Sequence, residues 1–126
     1  MRAIDTNVVV RLRARDDASQ YEAAKAFVAS GAWVSLIALV ESVWVLQSYY
    51  RRSAEEIGDA IAALLQNESL VLDDANVVAA ALESFRRAPS VGFADCLMLE
   101  LARKAGRLPL GTFDRNLAKL PGAERL

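Results

Sequence analysis

The chain has 126 residues, of which 54% are hydrophobic and 25% are charged, with 15 basic and 16 acidic side chains. This composition excludes a disordered tail and is sufficient for the core of one domain, so we predict a single domain over residues 1–126. A formal net charge of −1 excludes nucleic-acid binding through overall positive charge, and the absence of histidine excludes every mechanism or zinc site that needs imidazole.

Short apolar runs alternate with helical patterns along the chain. The predicted strands are residues 2–4, 33–35, 70–72 and 108–110. The first three predicted helices are residues 8–12 with Asn7 as cap, 19–29 and 36–50. They are followed by a helix opened by the capping box at 53–56, a helix capped by Asp73 or Asp74, a helix that Gly92 precedes and that runs to about Lys104, and a short helix at 115–120. This alternation predicts an α/β fold, a three-layer α/β/α sandwich with a central, mostly parallel sheet.

No apolar run reaches the roughly 20 residues that a bilayer span needs, and no signal peptide is recognisable. The single cysteine cannot form an internal disulfide, which suits a reducing compartment. We therefore expect a cytoplasmic protein without a membrane partner.

Four carboxylates interrupt apolar segments. Asp5 ends the first strand, Asp114 follows the fourth, Glu41 lies within an apolar helix, and Asp95 lies in the first turn after Gly92. Each also has a purely structural explanation. Asp5 and Asp114 can cap helices, and Asp95 can interact with a helix dipole.

For Glu41 the structural explanation is a buried ion pair with Arg11 or Arg13, because its helical neighbours are apolar. We also expect Trp33 and Trp44 to lie in the core.

Taken together, the four acids indicate a metal site. Two follow strands and two lie on helices, so all four can converge at one end of a parallel sheet. Crowded carboxylates resist joint ionisation unless a cation offsets their charge. Oxygen ligands without histidine or a cysteine cluster suit Mg²⁺, with Mn²⁺ as an alternative. The chemistry favoured by such a site is metal-assisted attack of water on a phosphodiester.

The sequence resembles the PIN-domain ribonucleases, and most of all the VapC toxins of type II toxin–antitoxin pairs. The resemblance spans the chain and rests on four segments in family order: Ala3-Ile4-Asp5-Thr6-Asn7-Val8-Val9-Val10-Arg11, Val34-Ser35 with Glu41, Gly92-Phe93-Ala94-Asp95, and Thr112-Phe113-Asp114.

The resemblance implies that Asp5, Glu41, Asp95 and Asp114 form an acidic Mg²⁺ site. Asn7 and Thr112 match the accompanying polar positions, which orient an acid, a water or the substrate phosphate. It further implies endonucleolytic cleavage of RNA, a homodimer, and inhibition by a cognate VapB-like antitoxin whose C-terminal segment covers the site. From the sequence itself we add that Arg11 is a candidate for contacting substrate phosphates.

Three alternatives remain open at the level of sequence. The segment from Asp5 to Val9 is faintly similar to the nucleophile loop of haloacid-dehalogenase-type phosphatases, although Asn7 replaces the second acid of that loop and no catalytic lysine is evident. A PIN-like fold can also serve as a non-catalytic binding module. The same metal chemistry can act on DNA instead of RNA.

Overall fold

The computed structural model describes all 126 residues, which form six α-helices and five short strands. These elements fall into two units, Met1–Ala75 and Asn76–Leu126. The first unit contains β1 (Arg2–Ile4), α1 (Thr6–Ala14), α2 (Ala18–Val28), β2 (Ala32–Val34), α3 (Leu36–Ser48), α4 (Ala54–Gln66) and β3 (Leu70–Leu72). Then follow α5 (Ala75–Arg87), α6 (Phe93–Lys104), β4 (Leu110–Thr112) and β5 (Ala123–Arg125), with 3-10 turns at Pro89–Val91 and Leu117–Lys119.

The sheet of the first unit is parallel, with strand order β1-β2-β3. Its last rung pairs Ile4 with Val34 and Val34 with Leu72, and all three side chains are buried. Because the three strands end in register, the next residue of each lies at one edge of the sheet. These residues are Asp5, Ser35 and Asp73.

Side-chain caps fix where the helices of the first unit begin. Asp5, Asp17, Ser35 and Ser53 each accept a hydrogen bond from the backbone N–H three residues further on. Such bonds satisfy donors that have no partner within the helix. The buried faces of these helices contribute Val9, Leu39, Ile57 and Ile61 to the core, each at most 1% exposed.

The second unit has its own core. The rings of Phe85 on α5 and Phe93 on α6 meet edge to face, with centroids 6.2 Å apart, and both side chains are 1% exposed. Cys96 and Leu99 of α6 are buried as well. β4 and β5 form a separate parallel pair in which Leu110 lies opposite Ala123.

The predicted α/β class with parallel strands is confirmed. β1 and β3 have the predicted bounds, β2 is shifted by one residue, and the capping box that opens α4 forms as expected. None of the helices is both long enough and apolar enough to cross a membrane.

Other predictions of local structure were wrong. Asp5 rather than Asn7 caps the first helix, because the extended backbone at Asp5 (φ −94°, ψ −179°) lets its side chain reach Val8 N. The fourth strand begins at Leu110 instead of 108, after a cis Leu108–Pro109 bond. The predicted final helix is a single 3-10 turn, and β5 was not foreseen.

The expectation that both tryptophans lie in the core was also wrong, since Trp33 is 37% exposed and Trp44 is 67% exposed. On β2 the side chains alternate, so Trp33 points away from the face that buries Ala32 and Val34. On α3 the helix is apolar around most of its circumference, so hydrophobicity alone did not indicate which face is buried.

Candidate active site

Asp5 lies directly after β1 and starts α1. One of its carboxylate oxygens, Oδ1, accepts a hydrogen bond from Val8 N at 3.1 Å, and the side chain is exposed. The structural explanation for this acid is therefore correct, since it is a helix cap. Capping uses Oδ1 and leaves Oδ2 available to a ligand.

Glu41 does not form the buried ion pair that was the structural explanation for it. The side chain is exposed, and its Oε2 accepts a hydrogen bond from Thr6 Oγ1 at 3.3 Å. This bond connects the first residue of α1 to the middle of α3. The buried Ser42 reinforces the connection, because its hydroxyl donates to Ala38 O at 2.6 Å and lies 3.4 Å from Thr6 O.

A cavity of about 400 Å³ opens between β1 and α3 and contains both of these acids. Asp5, Thr6, Ser35 and Glu41 provide its polar lining, while Ala3, Ile4, Ile37 and Ala38 provide the apolar part. The structure thus brings Asp5 and Glu41, which are 36 residues apart in the chain, to the same cavity.

Asn7 and Arg11 lie beside a second cavity of about 400 Å³, which Asp5 also lines. Arg11 is engaged by its neighbours: its Nη1 donates to Asp16 Oδ1 and to the Tyr50 hydroxyl, both at 2.9 Å, and its Nε donates to Gln20.

The Tyr50 hydroxyl in turn donates to Asp16 Oδ2 at 2.8 Å. The hydrogen bond from Tyr50 lowers the pKa of Asp16, and the ion pair with Arg11 adds to the effect. Burial raises the pKa of Tyr50, and its bond to Asp16 raises it further. Arg11 is therefore a structural partner of Asp16 and Tyr50, and its predicted contact with substrate remains a prediction.

In the second unit, Asp95 occupies the first turn of α6. Its pKa is raised, first because the carboxylate is partly desolvated and second because the negative charge of Asp114 acts on it. The two acids are therefore close enough to repel each other. Both effects penalise the ionised form of Asp95, so this carboxylate gains from a nearby cation.

Asp114 follows β4 and shapes the loop after it. Its Oδ1 accepts from Asn116 N and Leu117 N, both at 2.8 Å, and its own backbone N–H donates to Thr112 Oγ1 at 3.0 Å. Asp114 is thus a cap for the 3-10 turn, as its structural explanation foresaw, and Thr112 holds the backbone of the same loop. The exposed Oδ2 of Asp114 takes no part in these bonds.

The four predicted metal ligands therefore occur as two pairs, Asp5 with Glu41 in the first unit and Asp95 with Asp114 in the second. In neither unit do three or more acidic, cysteine or histidine side chains converge as a metal site. The donor set nevertheless fits a hard divalent cation, because it consists of carboxylate and hydroxyl oxygens only.

Two polar residues at these positions were not predicted as site residues. Thr6 is the hydrogen-bond donor to Glu41, although the sequence analysis gave the polar role to Asn7. Asp73 follows β3 as Asp5 follows β1, and its N–H donates to Val34 O at 2.9 Å. The signal for Asp73 was present, since it too is an acid directly after an apolar strand.

The fold and these acids define a class of protein, an α/β protein that carries carboxylates where its parallel strands end. The PIN domain family matches residues 3–123, which is nearly the whole chain, and the chain belongs to this family. No curated protein and no solved structure matches the chain closely enough to be counted as a relative. PIN domains are generally metal-dependent nucleases with an α/β fold of parallel strands and helices, so the chain is a hydrolase of nucleic acid by family.

Proposed function

We propose that this protein is a Mg²⁺-dependent endoribonuclease that acts as the toxin of a type II toxin–antitoxin pair. The proposal is supported by the unfavourable effect of the Asp114 charge on Asp95, together with the resemblance that assigns both carboxylates to the metal site of PIN-domain ribonucleases. Repulsion between two neighbouring carboxylates lowers the stability of the fold, and a bound cation offsets this repulsion.

In this proposal Asp5, Glu41, Asp95 and Asp114 are the metal ligands, with Mn²⁺ as an alternative to Mg²⁺. The bound ion supplies positive charge that stabilises the phosphodiester as negative charge develops on its oxygens. Thr6 is a positioning residue, because its hydroxyl fixes the orientation of the Glu41 carboxylate.

Other polar residues serve the substrate. Asn7, beside Asp5 at the exposed start of α1, orients the phosphate or the attacking water. Thr112 keeps Asp114 in place by accepting the hydrogen bond from its N–H. Arg11 contributes positive charge beside the cavity that Asn7 and Asp5 line, within the limits that its bonds to Asp16 and Tyr50 set.

The toxin role rests on the resemblance of the four sequence segments to the VapC branch. It brings three further proposals: the active form is a homodimer, a VapB-like antitoxin inhibits it by covering the acidic residues, and the protein works in the cytoplasm. A small neighbouring gene that encodes a DNA-binding N-terminal segment and an arginine-bearing tail would support the pairing.

Replacement of Asp95 by asparagine tests the nuclease activity. We expect Asp95→Asn to reduce cleavage of single-stranded RNA at least 100-fold, because it removes a metal ligand, while the melting temperature is unchanged or slightly higher because a repelled charge is lost. The measurement is incubation of total RNA with and without Mg²⁺, followed by mapping of the cut ends, with single-stranded DNA tested in parallel.

Glu55→Gln is the matched control, because Glu55 is also an acid in the first turn of a helix, is exposed, and lies at neither acidic pair. It should leave cleavage unchanged. If Asp95→Asn instead lowers the melting temperature and cleaves normally, Asp95 only interacts with the helix dipole and the proposed activity is wrong. Preferential cleavage of DNA would be consistent with the metal site but would show that RNA is not the preferred substrate.

A further inference from the structure

A third cavity of the first unit has a strongly basic lining. It has a volume of about 380 Å³, and its charged lining residues are all cations: Arg13 and Arg15 from the end of α1 and Lys25 from α2. Tyr21, Asn67 and Ser69 add neutral polar groups, and no carboxylate is among the lining residues. In a chain whose net charge is −1, this is a local excess of positive charge.

Arg13 has an unused hydrogen-bond donor. Its Nε is buried and has no hydrogen-bond partner. Arg13 also borders a smaller cavity that Glu56 and Asp59 line. Glu56 accepts a hydrogen bond from Ser53 N and lies 3.6 Å from Arg52, and Asp59 has an interaction partner as well. A buried donor without a partner costs free energy, and a bound water, ion or ligand that accepts its hydrogen bond removes that cost.

The other two cations lie beside the same aromatic ring. The Arg15 guanidinium lies 4.8 Å from the centroid of the Tyr21 ring, and Lys25 Nζ lies 5.9 Å from the same centroid. Contact with the ring favours these positions weakly and leaves the charge of both side chains in place. Two cations beside one ring and a third with a buried, unpartnered donor give this cavity a positive lining that suits an anion.

We propose that this cavity binds a backbone phosphate of the RNA substrate, away from the acidic residues. This inference rests on the proposed nuclease function. A nucleic-acid strand suits the position better than a free anion does, because α1 connects the two places. Asp5 caps the start of this helix and Arg13 lies eight residues further along it, which corresponds to about 12 Å along the axis. A strand that follows α1 can therefore reach both the basic cavity and the acids at its start.

The test is direct binding of a fluorescein-labelled single-stranded RNA to the full chain in EDTA, followed by fluorescence anisotropy at several salt concentrations. We expect Arg13→Gln combined with Arg15→Gln to weaken binding about tenfold. The slope of log K against log salt should become shallower by about 0.7 for each cation removed, because fewer counterions are released from a single strand. Lys25→Gln changes an exposed side chain and gives a second measure of the cavity if the double variant does not fold.

Arg107→Gln is the control, since it removes one exposed positive charge that lines none of these cavities. Equal weakening by Arg107→Gln and Lys25→Gln would overturn the proposal, and so would unchanged affinity and slope in both cavity variants. Inorganic phosphate that binds as tightly as the RNA would overturn the assignment to a strand.

Cleavage is measured separately from binding in this test. If RNA binding depends on Arg13 but no divalent metal supports cleavage, the proposed nuclease activity is wrong and the proposed phosphate site remains. If the protein cleaves RNA and the cavity variants bind RNA as tightly as the unmodified chain, only the proposed phosphate site is wrong.

Discussion

The environment of Asp95 disfavours the charge of its side chain. It is partly desolvated, and the charge of Asp114 acts on it from the loop after β4. Both effects raise its pKa, so ionised Asp95 lowers the stability of the fold at neutral pH. The sequence indicated this residue because an acid interrupted an apolar segment, but it could not show that Asp114 was the neighbour that matters.

The raised pKa of Asp95 leads to a titration experiment on the metal-free protein. We expect Asp95 to titrate above the usual aspartate value of about 3.9. Asp114→Asn should move the pKa of Asp95 downward without restoring it fully, because desolvation is the larger cause. Carboxyl carbon shifts followed by NMR measure both values, and an Asp95 pKa that is unaffected by Asp114→Asn would mean that the two groups do not interact.

The same shift sets the sign of a pH effect on stability. Between the ordinary pKa and the raised one, the folded state binds more protons at Asp95 than the unfolded state does. The contribution of this residue to stability therefore increases as the pH falls through that interval.

For the other three predicted acids, residue type and spacing indicated only part of the structural role. Asp5 and Asp114 turned out to be caps as well as candidate ligands, because capping uses Oδ1 of each carboxylate. For Glu41, the alternative to a metal ligand was a buried ion pair, but its side chain is exposed and accepts a hydrogen bond from Thr6. Its partner comes from α1, 35 residues away, and helical spacing contains no information about such a contact.

At the scale of elements, local signals predicted most of the boundaries. The capping box at Ser53 acts through neighbours within three residues and was recognised in the sequence, whereas Asn7 was expected to cap α1 in place of Asp5 and no cap was predicted for α2. β5 was missed because its pairing with β4 is a contact between distant segments, and residues 123–125 have no strand pattern of their own. The fourth strand was predicted to begin two residues too early, although Pro109 has no backbone N–H to donate to a neighbouring strand.

Gly92 determines how α6, the helix that carries Asp95, begins. Its backbone has φ 88° and ψ 145°, a conformation that is nearly restricted to glycine. Its carbonyl accepts the hydrogen bond from Cys96 N. A Cβ at this position would meet no atom within 4 Å, so any cost of a side chain here is backbone strain rather than a clash.

Gly92→Ala should therefore lower the free energy of unfolding by about 1–3 kcal/mol, as measured by urea denaturation. Gly111→Ala is the matched control. Gly111 does not have a positive φ, and an added Cβ would make an ordinary contact with Leu126 at 3.5 Å. Its effect should stay within about 1 kcal/mol. Equal losses in the two variants would show that the conformation of Gly92 carries no special cost.

At the scale of the whole molecule, the proposed metal should act as a ligand of the folded state. Binding to the native protein alone stabilises it by about 2.7 kcal/mol when Mg²⁺ is present at 100 times its dissociation constant. We expect the melting temperature of the unmodified chain to rise with Mg²⁺ or Mn²⁺. The rise should be lost in Asp95→Asn and kept in Glu55→Gln, as followed by thermal denaturation over a metal titration.

An identical rise in all three proteins would indicate non-specific binding of ions to an acidic surface. The molar mass of the same samples can be measured by light scattering during gel filtration. A homodimer would have twice the chain mass of 13.7 kDa.

The burial of Cys96 has a practical consequence for spectroscopy. It is the only thiol of the chain, its side chain is fully buried, and burial raises its pKa, so little reactive thiolate is exposed to reagents at neutral pH. A cysteine introduced at an exposed position such as Arg107 would accept a maleimide dye or a spin label selectively, with the native thiol left in place. One probe can therefore be attached at a chosen position without first replacing Cys96.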